Sequence, residues 1–82
     1  EDALQVGATI EDLDISDINE FLSRTQEPSI VVVYESLNCG SKNHIRSFNG
    51  QIESHGDTYA PQFISQDEFE TILSQPSGGC GN

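Results

Sequence analysis

Two long stretches of this 82-residue chain carry apolar residues at steps of three and four positions, which is the period of an amphipathic α-helix. The first stretch covers residues 3–23, and the second runs from about Pro28 to His55 after a short polar turn. Its proline suits the first turn of a helix, where the missing N–H would have no intrahelical partner. The pattern predicts an all-α fold built on a long antiparallel helical hairpin. The apolar positions of the first helix are Leu4, Ala8, either Leu13 or Ile15, Ile18 and Leu22.

The start of the second helix allows two interpretations. Taken alone, the β-branched run from Ile30 to Tyr34 would predict a buried strand. We assign it to the helix because apolar residues continue beyond it at helical spacing. These later residues are Leu37, Ile45, Phe48 and Ile52.

The second helix is expected to end at Gly56, since glycine readily takes the left-handed cap conformation. An extended apolar strap with Tyr59 and Phe63 should follow, and then a Ser-x-x-Glu capping box at Ser65 and Glu68. The box predicts a short third helix over residues 66–74.

The chain is therefore divided into two parts. Residues 1–75 hold the hairpin, the strap and the short C-terminal helix, and residues 76–82 form a flexible Gly-rich tail.

The charge balance limits the partners of the chain. Fourteen acidic residues face three basic ones, for a net charge of −11, so binding to nucleic acid is not expected. No apolar run approaches the ~20 residues of a membrane span. Only 34% of residues are apolar, and small domains usually need a metal, a disulfide or a partner chain.

The two cysteines, Cys39 and Cys80, have a spacing that fits no zinc motif. They are candidates for a disulfide, because the tail could bring Cys80 back to the second helix, and two free thiols are the alternative. An even cysteine count in a small acidic chain favours an extracellular or periplasmic location. A cytoplasmic location is the alternative.

Three polar residues fall among the apolar positions of the helices. Glu11 and Asp14 share a stripe of the first helix with Leu4 and Ile18, and His44 interrupts an apolar stripe of the second. Carboxylates and an imidazole suit a divalent transition metal.

Counting from the turn matches Glu11 best with His44. The alternative is that the acids face solvent at the edge of the stripe and that the histidine is an ordinary boundary residue. His55, at the helix end, is expected to lie off the site.

Three segments, VGATIEDLDI, GSKNH and YAPQFISQDEFE, resemble a bacterial and archaeal ferritin-like family, domain of unknown function 2202, in its C-terminal half only. The resemblance implies a four-helix bundle with inward-facing metal ligands, matching Glu11, Asp14 and His44. The chain departs from the common pattern at Ser41, where a glutamate would be expected three residues before the histidine.

Together with the resemblance, these features lead to the hypothesis of a homodimer, or a higher oligomer, that rebuilds the bundle around a di-iron or di-manganese carboxylate centre, with zinc as a further candidate metal. Oxygen or peroxide chemistry and metal storage are equally compatible with it, so enzymatic activity stays open. The alternative is a non-catalytic structural or self-assembling interaction module with a vestigial site. A third hypothesis is that the chain is a fragment of a longer protein.

Overall fold

The computed structural model describes residues 2–80 and contains three α-helices over that range, with no strand among the described residues. Helix α1 spans Asp2–Leu22, α2 spans Pro28–Ser54 and α3 spans Gln66–Ser74. The two long helices pack against each other along the hairpin. The predicted all-α fold is therefore confirmed, and the run from Ile30 to Tyr34 is helical. No helix within residues 2–80 is long and apolar enough to cross a bilayer.

The turn between α1 and α2 is fixed by a helix cap. The side chain of Glu27 accepts hydrogen bonds from the backbone N–H groups of Ser29 and Ile30, at 3.0 and 3.2 Å. Pro28 occupies the first turn of α2, as the sequence predicted. The Ser29 side chain also donates a hydrogen bond to Glu27, and this bond is the largest cause of the lowered pKa of Glu27, followed by the bond from the Ile30 backbone. The cap satisfies donors that have no partner inside the helix.

The strap returns along the hairpin after α2. Gly56 takes a positive φ of 81° and so lets the chain leave the helix. Ser65 then accepts a 3.0 Å hydrogen bond from the backbone N–H of Glu68, which is half of the predicted capping box. The strap and α3 bring their apolar side chains onto one face of the hairpin. The resulting core consists of Ala8, Ile15, Ile45, Ile52, Tyr59, Ile64, Phe69 and Ile72.

The covered face of α2 differs from the stripe on which the sequence placed His44. The buried positions of α2 are Asn38, Ser41, Ile45, Asn49 and Ile52. Val33 and Leu37, in contrast, are 54% and 53% exposed. Of the first set, Ile45 and Ile52 share the core with residues of the strap and α3, whereas the second set stays open. On α1 the same packing buries Ile15 completely and leaves Leu13 39% exposed, which decides between the two predicted core positions.

Gly7 on α1 lies directly against the aromatic ring of Phe48 on α2. A Cβ atom at this position would lie 2.5 Å from two ring carbons of Phe48. The absent side chain therefore makes room for the aromatic ring.

Candidate metal centre

A groove of about 460 Å³ lies between α1 and α2, and its lining combines the predicted metal ligands with apolar side chains. Helix α1 contributes Glu11, Asp14 and Ile18. Helix α2 contributes Leu37 and His44, with three small residues between and beside them. The hairpin thus gathers all three predicted ligands in one groove, because their distances from the turn are similar.

Glu11 and His44 are in direct contact in this groove. The Nδ1 atom of His44 lies 3.3 Å from the Oε2 atom of Glu11. The glutamate side chain is only 14% exposed, whereas the histidine side chain is 65% exposed. A protonated imidazole would form an ion pair with the carboxylate, and a metal would have to displace that proton.

Asp14 lines the same groove, but its side chain is exposed. Among the described residues, no group of three or more His, Cys, Asp or Glu side chains lies close enough to hold a metal ion. The prediction that Glu11, Asp14 and His44 meet at the helix seam therefore has one observed contact, between Glu11 and His44. Asp14 and His44 are exposed, which agrees with the solvent-facing alternative that the sequence left open for them, because the strap covers the other face of the hairpin.

His55 lies away from the groove. It forms the C-terminal cap of α2, where its Nδ1 atom is 2.9 Å from the backbone oxygen of Gln51. His55 is therefore at the helix end and off the site, as the sequence analysis expected.

The most thoroughly bonded acidic residue is Asp12, which the sequence analysis passed over. Its side chain is completely buried and accepts a 2.6 Å hydrogen bond from the Tyr59 hydroxyl. It also accepts hydrogen bonds from the backbone N–H groups of Gln62, Phe63 and Ile64, with shortest lengths of 2.6, 3.2 and 2.8 Å. Asp12 therefore fastens the strap to α1. The available signal was its position, at helical spacing between the core residues Ala8 and Ile15.

Burial also changes the chemistry of the tyrosine in this contact. Desolvation, followed by the hydrogen bond to Asp12, raises the pKa of Tyr59 to about 12. The phenol therefore stays protonated and keeps donating to the carboxylate over the neutral range.

The tail folds back onto α2. Cys39 and Cys80 form a disulfide with a Cα–Cα distance of 5.8 Å. Asn43 donates a 2.7 Å hydrogen bond to the backbone oxygen of Gly78, and the Gly78 N–H returns a 3.3 Å bond to the Asn43 Oδ1 atom. Residues 81–82 of the predicted flexible tail lie outside the described residues.

Comparison with known proteins identifies a family. A family model described as an uncharacterized protein domain, DUF2202, matches residues 1–76. The uncharacterized protein MJ0754 of Methanocaldococcus jannaschii is 49% identical over 73 residues, which are 89% of this chain and 40% of that protein. The crystal structure of the hypothetical protein MJ0754 superimposes with a TM-score of 0.91 at 47% identity, covering 94% of this chain and 44% of that chain.

The chain thus spans less than half the length of the relative that it matches. The matched range begins at the first residue and includes the N-terminal part of the chain. It does not support the narrower prediction that the chain is the C-terminal half only of the family's domain.

Proposed function

The chain belongs to the DUF2202 family, and from this premise we propose that it is a metal-binding, ferritin-like half-bundle completed by a second copy of itself. The proposed site is a di-iron or di-manganese carboxylate centre that serves oxygen or peroxide chemistry or metal storage. The contact between Glu11 and His44 in an open groove carries the proposal.

The donor atoms in the groove suit such a metal. A glutamate oxygen and an imidazole nitrogen lie 3.3 Å apart, and Asp14 lines the same groove with a second carboxylate. Nitrogen and oxygen ligands of this kind bind iron, manganese and zinc. A bound metal would supply the Lewis acidity or redox chemistry, while the carboxylates would neutralise its charge.

One chain offers too few ligands for a complete centre. Of the three proposed ligands, only Glu11 and His44 form an observed polar contact with each other. No cluster of three or more potential ligands is found among the described residues. A two-fold related copy would add its own Glu11, Asp14 and His44 to the same groove. The sum of four carboxylates and two imidazoles matches the composition of dinuclear carboxylate centres in helical bundles.

The exposed apolar side chains beside the groove support a second copy as the occupant. Leu37 lines the groove at 53% exposure, Val33 precedes it by one helical turn at 54%, and Ile10 on α1 is 53% exposed. Burying apolar surface stabilises association by about 25 cal/mol for each Å² removed from water.

Metal content tests the ligand assignment. Purified wild-type protein should contain iron or manganese by elemental analysis, and His44→Ala should lose most of it. The substitution should lower thermal stability only in the metal-loaded state, because ligand binding stabilises the folded protein by mass action. His55→Ala, outside the groove, is the matched control and should keep its metal. Equal metal content in wild type and His44→Ala would reject the metal site.

Native mass tests the proposed assembly. Wild-type protein at micromolar concentration should be a dimer or larger, and Val33→Glu should give monomers because it places a charge beside the groove. Val32→Glu is the matched control, since Val32 is similarly exposed at 63% but lies about 100° further round the helix. A well-folded wild-type monomer, or equal loss of assembly in both variants, would contradict the proposed interface.

The exposed apolar side chains also favour a second candidate function, a self-assembling structural module with a vestigial metal site. That function would be supported if Val33→Glu dissociated the assembly while wild type and His44→Ala contained equally little metal.

A further inference from the structure

A second cavity lies on another side of α2, between that helix and the returning tail. Its volume is about 450 Å³, and its lining includes Asn38, Lys42, Asn43 and Arg46 from α2, with Pro76 and Gly78 from the tail. It shares no lining residue with the groove that holds Glu11 and His44. Whatever it binds is therefore separate from the proposed metal centre.

The cavity gathers positive charge in a strongly acidic protein. Two of the three basic residues of the chain, Lys42 and Arg46, line it. Neither forms a salt bridge within residues 3–80, although the third basic residue, Arg24, lies 3.3 Å from Glu20. Two cations that form no salt bridge with any described residue lie in one cavity, and such a pair attracts an anion.

The guanidinium group of Arg46 is held in place by the protein. Its Nε atom donates a 2.7 Å hydrogen bond to the backbone oxygen of Ile72, and its Nη1 atom donates a 2.6 Å bond to the Oδ1 atom of Asn43. A guanidinium carries five N–H donors, so others remain for a ligand. Because the guanidinium is already held in place, a ligand that binds to its remaining N–H donors costs less side-chain entropy.

Asn38 supplies an acceptor in the same cavity. The residue is only 8% exposed, and its Oδ1 atom is buried without a hydrogen-bond partner. Its Nδ2 atom donates a 3.2 Å bond to the Oδ1 atom of Asn19, whose own Nδ2 donates a 2.8 Å bond to Glu68. Because a carboxylate only accepts, this chain of bonds fixes both amide orientations. The Oδ1 atom of Asn38 therefore has no donor; because it is shielded from solvent, a ligand hydroxyl reaches it only after the side chains that cover it move aside.

We propose that this cavity binds a small oxyanion that also carries a hydroxyl group, as hydrogen phosphate does. The negative oxygens would face Lys42 and Arg46, and the hydroxyl would donate to the Oδ1 atom of Asn38. A buried acceptor without a donor destabilises the protein, so filling it favours the hydroxylated ligand. Glu35 also lines the cavity, and its negative charge weakens the binding of any anion there.

Titration by nuclear magnetic resonance with inorganic phosphate and with sulfate, at constant ionic strength and neutral pH, tests this proposal. Phosphate should cause saturable shifts of the backbone amides of Asn43 and Gly78. Sulfate lacks a hydroxyl and should bind about tenfold more weakly, because losing one hydrogen bond that involves a charged group lowers an affinity by about tenfold or more. Equal affinity for the two anions would overturn the assigned role of Asn38.

A matched pair of variants separates a built site from general charge attraction. Lys42→Gln and Arg24→Gln each remove one positive charge, but only Lys42 lines the cavity. Lys42→Gln should weaken phosphate binding about tenfold, and Arg24→Gln should change it less than about twofold. Equal losses would overturn the proposal. Asn38→Leu should remove the preference for phosphate over sulfate. If this variant does not fold, equal affinity of the wild-type protein for the two anions would still overturn the role of Asn38.

Discussion

The Tyr59 hydroxyl donates a 2.6 Å hydrogen bond to the Oδ2 atom of Asp12, a buried contact between residues 47 positions apart. This bond joins α1 to the strap. The same carboxylate accepts hydrogen bonds from the backbone N–H groups of Gln62 and Ile64, further along the strap. Asp12 is thus a structural carboxylate that closes one face of the hairpin. That face is closed, whereas the groove with Glu11 and His44 lies on a face that stays open.

Asp12→Ala should destabilise the protein by about 3 kcal/mol, because it leaves several donors of the strap without a partner. Asp17→Ala, an exposed position on the same helix, should change stability by less than about 0.5 kcal/mol. Urea unfolding followed by circular dichroism measures both. Similar values for the two variants would show that the strap does not depend on Asp12.

The protein should lose stability at alkaline pH through Tyr59. Its pKa rises from the ordinary 10.0 to about 12 in the folded state, so the unfolded state loses the proton first. The contribution is fully present below pH 10.0 and is lost as the pH rises through about 12, with a total of about 2 to 3 kcal/mol. Urea unfolding at several pH values measures it. Tyr59→Phe should cost about 1 kcal/mol at neutral pH and flatten the alkaline loss; an unchanged slope would assign the loss to other groups.

Gly7→Ala should destabilise the hairpin even though alanine is the better helix former. The new methyl group would lie 2.5 Å from the ring of Phe48, and relieving such an overlap costs about 1 to 3 kcal/mol. Gly50→Ala, with nothing within 4 Å, should instead stabilise α2 by about 0.5 to 1 kcal/mol. Thermal unfolding of both variants gives the comparison, and a stabilised Gly7→Ala variant would contradict the close packing of the helices.

The disulfide between Cys39 and Cys80 closes a loop with a sequence separation of 41. Cys80→Ser should cost up to about 4 kcal/mol in the chain-entropy description of cross-links. Reductant should lower the thermal midpoint of wild type but not that of Cys80→Ser. A thiol titration that finds two free sulfhydryl groups in freshly isolated native protein would reject the disulfide, and with it the expected oxidising compartment.

The sequence by itself determined the helices, because their signals are local. Apolar spacing, Pro28 at a helix start and the Ser65–Glu68 box each act within a few residues. The turn between two helices also fixes which positions lie side by side, so the contact of Glu11 with His44 followed from counting.

Only the tertiary structure decided which face of the hairpin is buried. Both helices carry apolar residues on more than one side, so periodicity alone did not choose between the stripe with Leu37 and the stripe with Ile45. The strap and α3 made that choice by packing on one face, which buried Asp12 and left Asp14 and His44 exposed. The cavity with Lys42 likewise exists because the distant tail returns to α2, a long-range contact that no local pattern encodes.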